Sequence, residues 1–160
     1  MQYLFRYNWK VRDEWFEVLK PVPSEELYKS RVGGVGSIAY TMFHVSKVEY
    51  DWISDLQQKP IFNGKFEDYS NFEDIIELSK ELRKGVFDYV EKWSTELEHK
   101  VLDLEIGNEN RIHCTYGEAI RHVIVHEIHH IGQLSVWARE IGVSPISANF
   151  IHRGLLKQKN

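Results

Sequence analysis

Apolar residues recur every three or four positions along four long segments of the chain, and polar residues fill the positions between them. This period matches the turn of an α-helix and gives each segment one apolar face that can be buried. Pro21 and Pro23 end the first segment, because proline disrupts a regular helix. The sequence therefore predicts four helices, over residues 3–20, 37–57, 70–94 and 115–141.

Residues that favour helix ends stand at these boundaries. Three hydroxyl residues occupy predicted N-cap positions, where a side-chain oxygen can accept a hydrogen bond from a free backbone N–H: Ser37, Ser70 and Thr115. A glutamate follows Ser70 and Thr115 after three residues, as Glu73 and Glu118, which completes the pattern of a capping box. Gly142 is the predicted stop of the fourth helix.

Residues 99–114 lose the helical period, because apolar and acidic residues alternate between positions 102 and 106. A stretch rich in turn-forming residues, Gly-Asn-Glu-Asn, follows at positions 107–110. Arg-Ile-His then returns to an alternating pattern at positions 111–113. This arrangement predicts a small β-hairpin between the third and fourth helices.

The connector before the second helix and the tail after the fourth carry weaker patterns. Residues 24–26 predict one short helical turn. The glycine-rich residues 33–36 lack the Gly-Lys-Ser/Thr ending of a phosphate loop, so they predict a flexible lead into the second helix. Apolar residues between positions 150 and 156 predict one further short helix in the tail.

Four amphipathic helices predict an all-α protein, a four-helix bundle with a small hairpin or loop inserted between the third and fourth helices. A length of 160 residues suits one domain, residues 1–160, and no internal repeat divides it. The hydrophobic content of 42% and aromatic content of 13% are sufficient for a packed core, which argues against disorder.

The charge of the chain limits its partners. The net charge is −4 and the isoelectric point is about 6.1, and no predicted helix has a basic stripe, so we expect no nucleic-acid partner. The N-terminus does not resemble a signal peptide and no apolar run is long enough to span a membrane, so we expect a cytoplasmic protein. Cys114 is the single cysteine, which excludes an internal disulfide.

Histidines are concentrated in the stretch IRHVIVHEIHHIGQ, residues 120–133, which holds four of the eight. His122, His126 and His130 recur every fourth residue, so a helix places them one turn apart on one face. Two imidazoles at this spacing can bind one divalent metal ion. His44, near the middle of the second helix, lies at a similar depth if the two helices face each other, and it is the predicted third ligand.

The letters from His126 to His130 also fit H-E-x-x-H, the motif of zinc peptidases, in which Glu127 would be the general base. The extended motif needs a glycine three residues after the second histidine, where this chain has Gln133. No Asp or Glu follows Glu140, so no downstream carboxylate can complete the site. A zinc peptidase is therefore the weakest of the functional alternatives.

Residues beside the three predicted ligands have separate roles. Gln133 could orient a ligand or a bound water, or it could simply pack, and His122 is the strongest substitute ligand. These two are the candidate catalytic residues. Glu127 and His129 point about 100° away from a neighbouring ligand, so Glu127 faces either solvent or another helix. If the residues between them are helical, Cys114 lies about 18 Å from His126 along the helix axis, and we interpret it as a thiol outside the site.

The sequence resembles the DinB/YfiT-like family of metal-dependent proteins. The resemblance is carried by Gly36-Ser37-Ile38, by His44 and, most specifically, by residues 126–133, which fit the family pattern H-x-x-H-H-x-G-Q. The resemblance extends over essentially the whole chain, both in length and in the order of the helices. The commonest family form has arginine before the glycine, where this chain has Ile131.

The resemblance implies a four-helix bundle, often dimeric, with a divalent metal ion on His44, His126 and His130. Zinc is the first choice, and nickel or another divalent ion also suits nitrogen ligands. Some relatives use low-molecular-weight thiols, so we expect a thiol-dependent transferase or a metal-dependent hydrolase acting on a small molecule. The alternative is a non-enzymatic metal-binding or interaction module. The family's damage-inducible label concerns expression and does not imply DNA binding.

Aromatic residues are more numerous than one buried face per helix needs. They lie on more than one face of the first predicted helix and also on the third, as Tyr3, Tyr7, Trp9, Trp15, Phe16, Tyr89 and Trp93. A two-fold dimer formed by helix faces would bury a second aromatic stripe, and aromatic residues are enriched in such interfaces. We therefore expect a homodimer.

Overall fold

The computed structural model describes residues 1–106 and 110–156 of the chain. This part is mostly helical, and its α-helices are α1 (Gln2–Leu19), α2 (Ser24–Tyr28), α3 (Ile38–Leu56), α4 (Phe72–Glu91) and α5 (Tyr116–Glu140). Two short 3₁₀ helices (Phe66–Asp68 and Thr95–Leu97) and an antiparallel pair of strands, β1 (Val101–Ile106) and β2 (Asn110–Thr115), complete it. Within these residues, no helix is both long and apolar enough to cross a membrane.

The four long predicted helices are confirmed as α1, α3, α4 and α5, and the short turn predicted at residues 24–26 is confirmed as α2. The hairpin is also confirmed, because β1 and β2 pair in register with Val101 opposite Thr115 and Leu102 opposite Cys114. Most of its predicted turn, residues 107–109, lies outside the described part of the chain.

Two predicted helix caps form as expected. The Ser37 hydroxyl accepts a hydrogen bond from the backbone N–H of Tyr40 at 3.0 Å and starts α3. At the start of α5 the backbone N–H of Glu118 donates to the Thr115 hydroxyl at 3.2 Å, and the Thr115 backbone N–H donates to the Glu118 carboxylate at 2.7 Å. This reciprocal pair is a complete capping box and fixes where the histidine helix begins.

The predicted cap at Ser70 is wrong. The N-cap of α4 is Asn71, whose side-chain oxygen accepts a hydrogen bond from the backbone N–H of Glu73 at 3.1 Å. Asparagine is as good an N-cap as serine, so the adjacent residue displaces it and the helix starts later than predicted. Ser94, the predicted end of this helix, instead caps the 3₁₀ helix Thr95–Leu97.

The short helix predicted for residues 150–156 is also wrong. This segment is irregular, and His152 and Gly154 have positive φ angles of 64° and 67°, which a right-handed helix cannot contain. The apolar residues that suggested a helix pack individually against the core instead, as Phe150 and Leu155 do.

The interior contains two apolar clusters with buried polar residues between them. α3 packs against both α4 and α5, and α1 packs against α4 and α5. One cluster draws on the N-terminal half of α3 and the C-terminal half of α5, and the other on their opposite halves. Buried polar residues lie between these halves along the helices, as Ser46 and Glu49 on α3, Ser79 on α4 and Glu127 on α5.

The aromatic residues that suggested a dimer are largely accounted for within one chain. Tyr7, Trp9, Trp15 and Phe16 are all buried, whereas Tyr3 is 44% exposed. The reason is that α1 packs against α4, α5 and the tail, where the Tyr7 hydroxyl donates to the carbonyl of Ala148. The homodimer stays a prediction, and the four buried aromatic residues no longer support it.

Candidate metal centre

Three histidines from two helices converge on one point, as the sequence predicts. His44 lies on α3, and His126 and His130 lie one turn apart on α5. The Nε2 atom of His126 is 3.0 Å from Nε2 of His44 and 3.2 Å from Nε2 of His130, and one ligand atom from each residue lies within 4.8 Å of the others. Nitrogens around one tetrahedral zinc ion lie about 3.3 Å apart, so this cluster could hold a metal ion.

The surroundings keep these imidazoles neutral near pH 7. Burial lowers the pKa of His44 to about 4, and the nearby His130 ring adds to the effect. Burial and the adjacent His130 ring lower the pKa of His126 to about 3. The pKa of His130 is also lowered by burial. A metal ligand needs the neutral imidazole lone pair, so the cluster is already in the protonation state that metal binding requires.

Gln133 sets the orientation of one of the three rings. Its side-chain oxygen lies 2.9 Å from Nδ1 of His130 and can only accept, so Nδ1 carries the proton and donates. Nε2 of His130 is then left with a free lone pair directed at the cluster. The Gln133 amide nitrogen lies 2.9 Å from Nε2 of His129 and donates to it. The predicted orienting role of Gln133 therefore has a structural basis.

A buried ion-pair network lies immediately behind the histidines. The guanidinium of Arg12 donates to the Glu127 carboxylate at 2.7 and 2.6 Å and to the Glu49 carboxylate at 3.0 Å. The Trp9 indole N–H donates to the other Glu49 oxygen at 2.8 Å. Since Glu127 follows His126 on α5, the network links α1 and α3 to the helix that carries two of the candidate ligands.

The electrostatics of this network are unbalanced, because two carboxyl groups share one guanidinium. Burial opposes the charge of Arg12, but the carboxylates of Glu127 and Glu49 outweigh it and hold the pKa of Arg12 above its usual value. Burial raises the pKa of Glu49, although Arg12 acts in the opposite direction. Arg12 is thus the cation that offsets both buried carboxyl groups.

Glu127 is not placed to act as the general base that a zinc peptidase would need. Glu127 is 2% exposed and both of its carboxylate oxygens accept hydrogen bonds from Arg12, so its side chain faces α1 and not the histidine cluster. Of the two orientations predicted for Glu127, contact with another helix is the one found.

Other predicted neighbours lie outside the cluster. His122 is exposed and its ring packs 5.2 Å from that of Trp52, with its centroid 5.8 Å from that of His126. Cys114 lies on β2 and packs against the second apolar cluster, and burial raises its pKa. Among the described residues, only His44, His126 and His130 group as metal ligands.

The glycine-rich loop before α3 lies against this site. Gly34 has a φ angle of 54°, and a Cβ atom placed there would lie 2.7 Å from the Trp137 ring and 3.0 Å from the Gln133 side-chain oxygen. The Trp137 indole N–H donates to the carbonyl of Val32 at 3.2 Å. The loop that the sequence predicts as a flexible lead into the helix therefore binds Trp137 and closely approaches Gln133, which orients His130.

A cavity of about 660 Å³ opens beside His44. It lies between α3 and residues 64–67, and both aromatic and charged side chains line it. The three histidines thus combine a set of converging nitrogen donors with adjacent space for a small molecule.

The family profile described as the DinB family matches residues 1–155. The chain belongs to the DinB family. It is 43% identical over 155 residues to the uncharacterized protein YizA of Bacillus subtilis, a match that covers 97% of this chain and 96% of YizA. This DinB family chain also superposes on the crystal structure of a DinB-like protein from Bacillus cereus, with a TM-score of 0.66 and 16% identity, covering 89% and 91% of the two chains. That likeness shows a shared fold.

Sequence reasoning missed Arg12 and Glu49 behind the site and left Glu127 between solvent and another helix, although a signal for the network exists. Arg12, Glu49 and Glu127 each occupy a position on the buried face of their helix, at helical spacing from apolar core residues. A charge on an apolar face is rarely buried without a partner, so three such positions on three helices indicate an ion-pair network.

Proposed function

We propose that this DinB family protein is a metal-dependent enzyme that acts on a small molecule, with one divalent ion held by His44, His126 and His130. One observation carries the proposal. Three neutral imidazole nitrogens from two helices converge, with 3.0 and 3.2 Å between successive Nε2 atoms, beside a cavity large enough for a small substrate.

Zinc is the metal that we propose first, because imidazole nitrogen is one of its usual ligands. Nickel or another divalent ion also accepts nitrogen donors. Three protein ligands leave a coordination position for a molecule from outside, which is the pattern of catalytic rather than structural zinc sites. When bound there, the ion would supply a Lewis acid that lowers the pKa of a water molecule or a thiol.

The chain's own residues have distinct parts in this proposal. Gln133 holds the proton on Nδ1 of His130 and so keeps its Nε2 atom available as a ligand. Arg12 and Glu127 fix the rotation of α5 behind the ligands. The adjacent cavity binds and orients the small molecule.

The reaction that we propose first is thiol transfer, with hydrolysis second. In thiol transfer the sulfur of a low-molecular-weight thiol forms a bond to an electrophilic carbon. The leaving group departs with its electron pair, and the thiol proton passes to solvent. Three nitrogen ligands with an open position suit this step, since a bound divalent ion favours the thiolate form.

We further propose that the four long helices form a four-helix bundle and that the protein acts in the cytoplasm as a homodimer, without nucleic acid. The net charge of −4 supports the absence of nucleic acid, and the family resemblance supports the dimer. Light scattering across a dilution series would then give twice the chain mass of 19.0 kDa. Tight binding of a DNA duplex at physiological salt would contradict the expected absence of a nucleic-acid partner.

The test of function is an assay of the zinc-loaded and nickel-loaded protein with several low-molecular-weight thiols and an electrophile such as 1-chloro-2,4-dinitrobenzene, with hydrolytic substrates in parallel. The matched control is the protein with His126→Ala, which removes the central ligand. We expect turnover that depends on the metal and disappears in the variant. Metal bound without any turnover would favour a non-enzymatic metal-binding module instead.

A further inference from the structure

The cavity beside His44 has a composition that selects among small molecules. We propose that it is the substrate pocket of the metal centre, and that it takes a small, uncharged or singly charged molecule with an aromatic or other flat apolar group. The proposal rests on the proposed function for its reacting atom, and on the walls of the cavity for the class of ligand.

One wall of the cavity is aromatic and continuous with a candidate metal ligand. Tyr40 precedes His44 by one helical turn, so the two side chains share a face of α3, with ring centroids 6.0 Å apart. The Phe66 ring, from the segment between α3 and α4, packs onto the same wall, 4.8 Å from the ring of Tyr40 and 5.7 Å from that of Phe43. Tyr40 and Phe66 are only half-buried, so their rings have surface to offer to a ligand.

The charged residues of the cavity do not form an anion site. Two lysines and two acidic residues line it, so their formal charges cancel. Lys47 donates to the Asp51 carboxylate at 2.6 Å and to the carbonyl of Phe62 at 2.6 Å, which commits its ammonium to the protein. Sites for phosphate groups gather several uncompensated cations. The charges that line the cavity therefore do not select phosphate groups, and its aromatic wall favours apolar ligands.

The size of the cavity agrees with this class. About 660 Å³ lies in the range of pockets that bind small organic molecules. An aromatic group that packs against the exposed faces of the contacting Tyr40 and Phe66 rings would have its substituent next to the His44 ring, which lies 6.0 Å from that of Tyr40. The pocket thus accounts for both halves of the substrate: a flat apolar body and one metal-directed atom.

The experiment uses the Co²⁺-loaded protein, in which a thiolate ligand gives a sulfur-to-metal charge-transfer band. Benzyl mercaptan and 2-mercaptoethanol are titrated separately, since they share the sulfur and differ in the aromatic ring. We expect benzyl mercaptan to bind about tenfold or more tightly, from the stacking and burial of its ring. Phe66→Ala should remove most of this preference and leave the Co²⁺ affinity unchanged.

The matched control is Phe87→Ala, which removes a half-exposed phenylalanine on α4 that packs against Trp9 and not against this cavity. It should keep the full preference. Equal affinity for the two thiols in the unmodified protein, or equal effects of the two substitutions, would overturn the proposal while leaving the metal-dependent function intact.

A metal-free arm separates the two proposals. Benzyl alcohol is titrated into the metal-free, ¹⁵N-labelled protein, and amide shifts are followed. Shifts that concentrate at Tyr40, His44 and Phe66 would support the pocket even if Co²⁺ fails to bind, in which case the proposed function alone fails. If the amide signals of these three residues do not move, the cavity is not the binding site and the pocket proposal fails.

Discussion

The guanidinium of Arg12 and the carboxylate of Glu127 form two parallel hydrogen bonds, at 2.7 and 2.6 Å, with about 1% and 2% of the two side chains exposed. Glu127 directly follows His126, so this pair determines how α5 is rotated at a candidate metal ligand. The same guanidinium also binds Glu49, five residues after His44 on α3. One arginine therefore contacts both helices that carry the candidate metal ligands.

Replacement of Arg12 by methionine should destabilise the fold strongly. The substitution leaves two carboxyl groups buried without their cation, and the loss of one partner of a buried ion pair costs about 3–5 kcal/mol. Denaturation in urea would measure the change in the free energy of unfolding. The control is Arg6→Met on the same helix, which removes the exposed pair with Glu91 and should have a far smaller effect. Similar decreases in the free energy of unfolding for the two variants would refute the role assigned to Arg12.

Gln133→Ala should weaken metal binding by about 10- to 100-fold, because loss of the partner of a metal-binding histidine typically has this effect. Gln133→Glu should restore most of the affinity, since a carboxylate can also accept the proton of His130 Nδ1. His129→Ala serves as the control, because it removes the other partner of Gln133 and leaves His130 untouched. Metal titration by calorimetry gives the affinities, and an unchanged value for Gln133→Ala would contradict this role.

Gly34→Ala should weaken metal binding, whereas Gly36→Ala should not. Both glycines have positive φ angles, 54° and 106°, so both substitutions carry a backbone cost of about 1–2 kcal/mol. Only at Gly34 would the new Cβ atom collide with Trp137 and press on the Gln133 oxygen. Thermal unfolding measures the loss of stability that backbone strain causes in both variants. Metal titration measures the difference in metal affinity between them. Equal metal affinities for the two variants would show that the loop does not influence the site.

The metal-free protein should lose stability as the pH falls from 7 towards 5. The pKa of His44 is lowered from an ordinary 6.5 to about 4 and that of His126 to about 3, chiefly by burial. The unfolded chain therefore takes up protons first, and the free energy of unfolding decreases as the pH drops below about 6.5. Urea denaturation in a chelator at several pH values measures this slope. His44→Gln should make the pH dependence of the unfolding free energy shallower, and His99→Gln should not. If both variants keep the slope of the unmodified protein, protonation of His44 does not cause the loss of stability.

The sequence predicts the helices and the identity of the clustered histidines, because both depend on local periodicity. The spacing of His126 and His130 is a property of one helix, and His44 needs only that two helices face each other. The Arg12 network and the contact between Gly34 and Gln133 depend on which faces meet across long stretches of chain. No local pattern specifies such pairings. The errors at Ser70 and in the tail arose where an adjacent residue, Asn71, or individual apolar contacts outweighed a local preference.

The measurement that tests the central claim most directly is the metal content of the purified protein after dialysis against zinc, by inductively coupled plasma mass spectrometry. We predict about one ion per chain, and a large loss of metal for each of His44→Ala, His126→Ala and His130→Ala. His99→Ala, His113→Ala and His152→Ala should retain it, and circular dichroism would verify that all variants are folded. Full occupancy in the triple variant lacking His44, His126 and His130 would show that the metal centre has been misassigned.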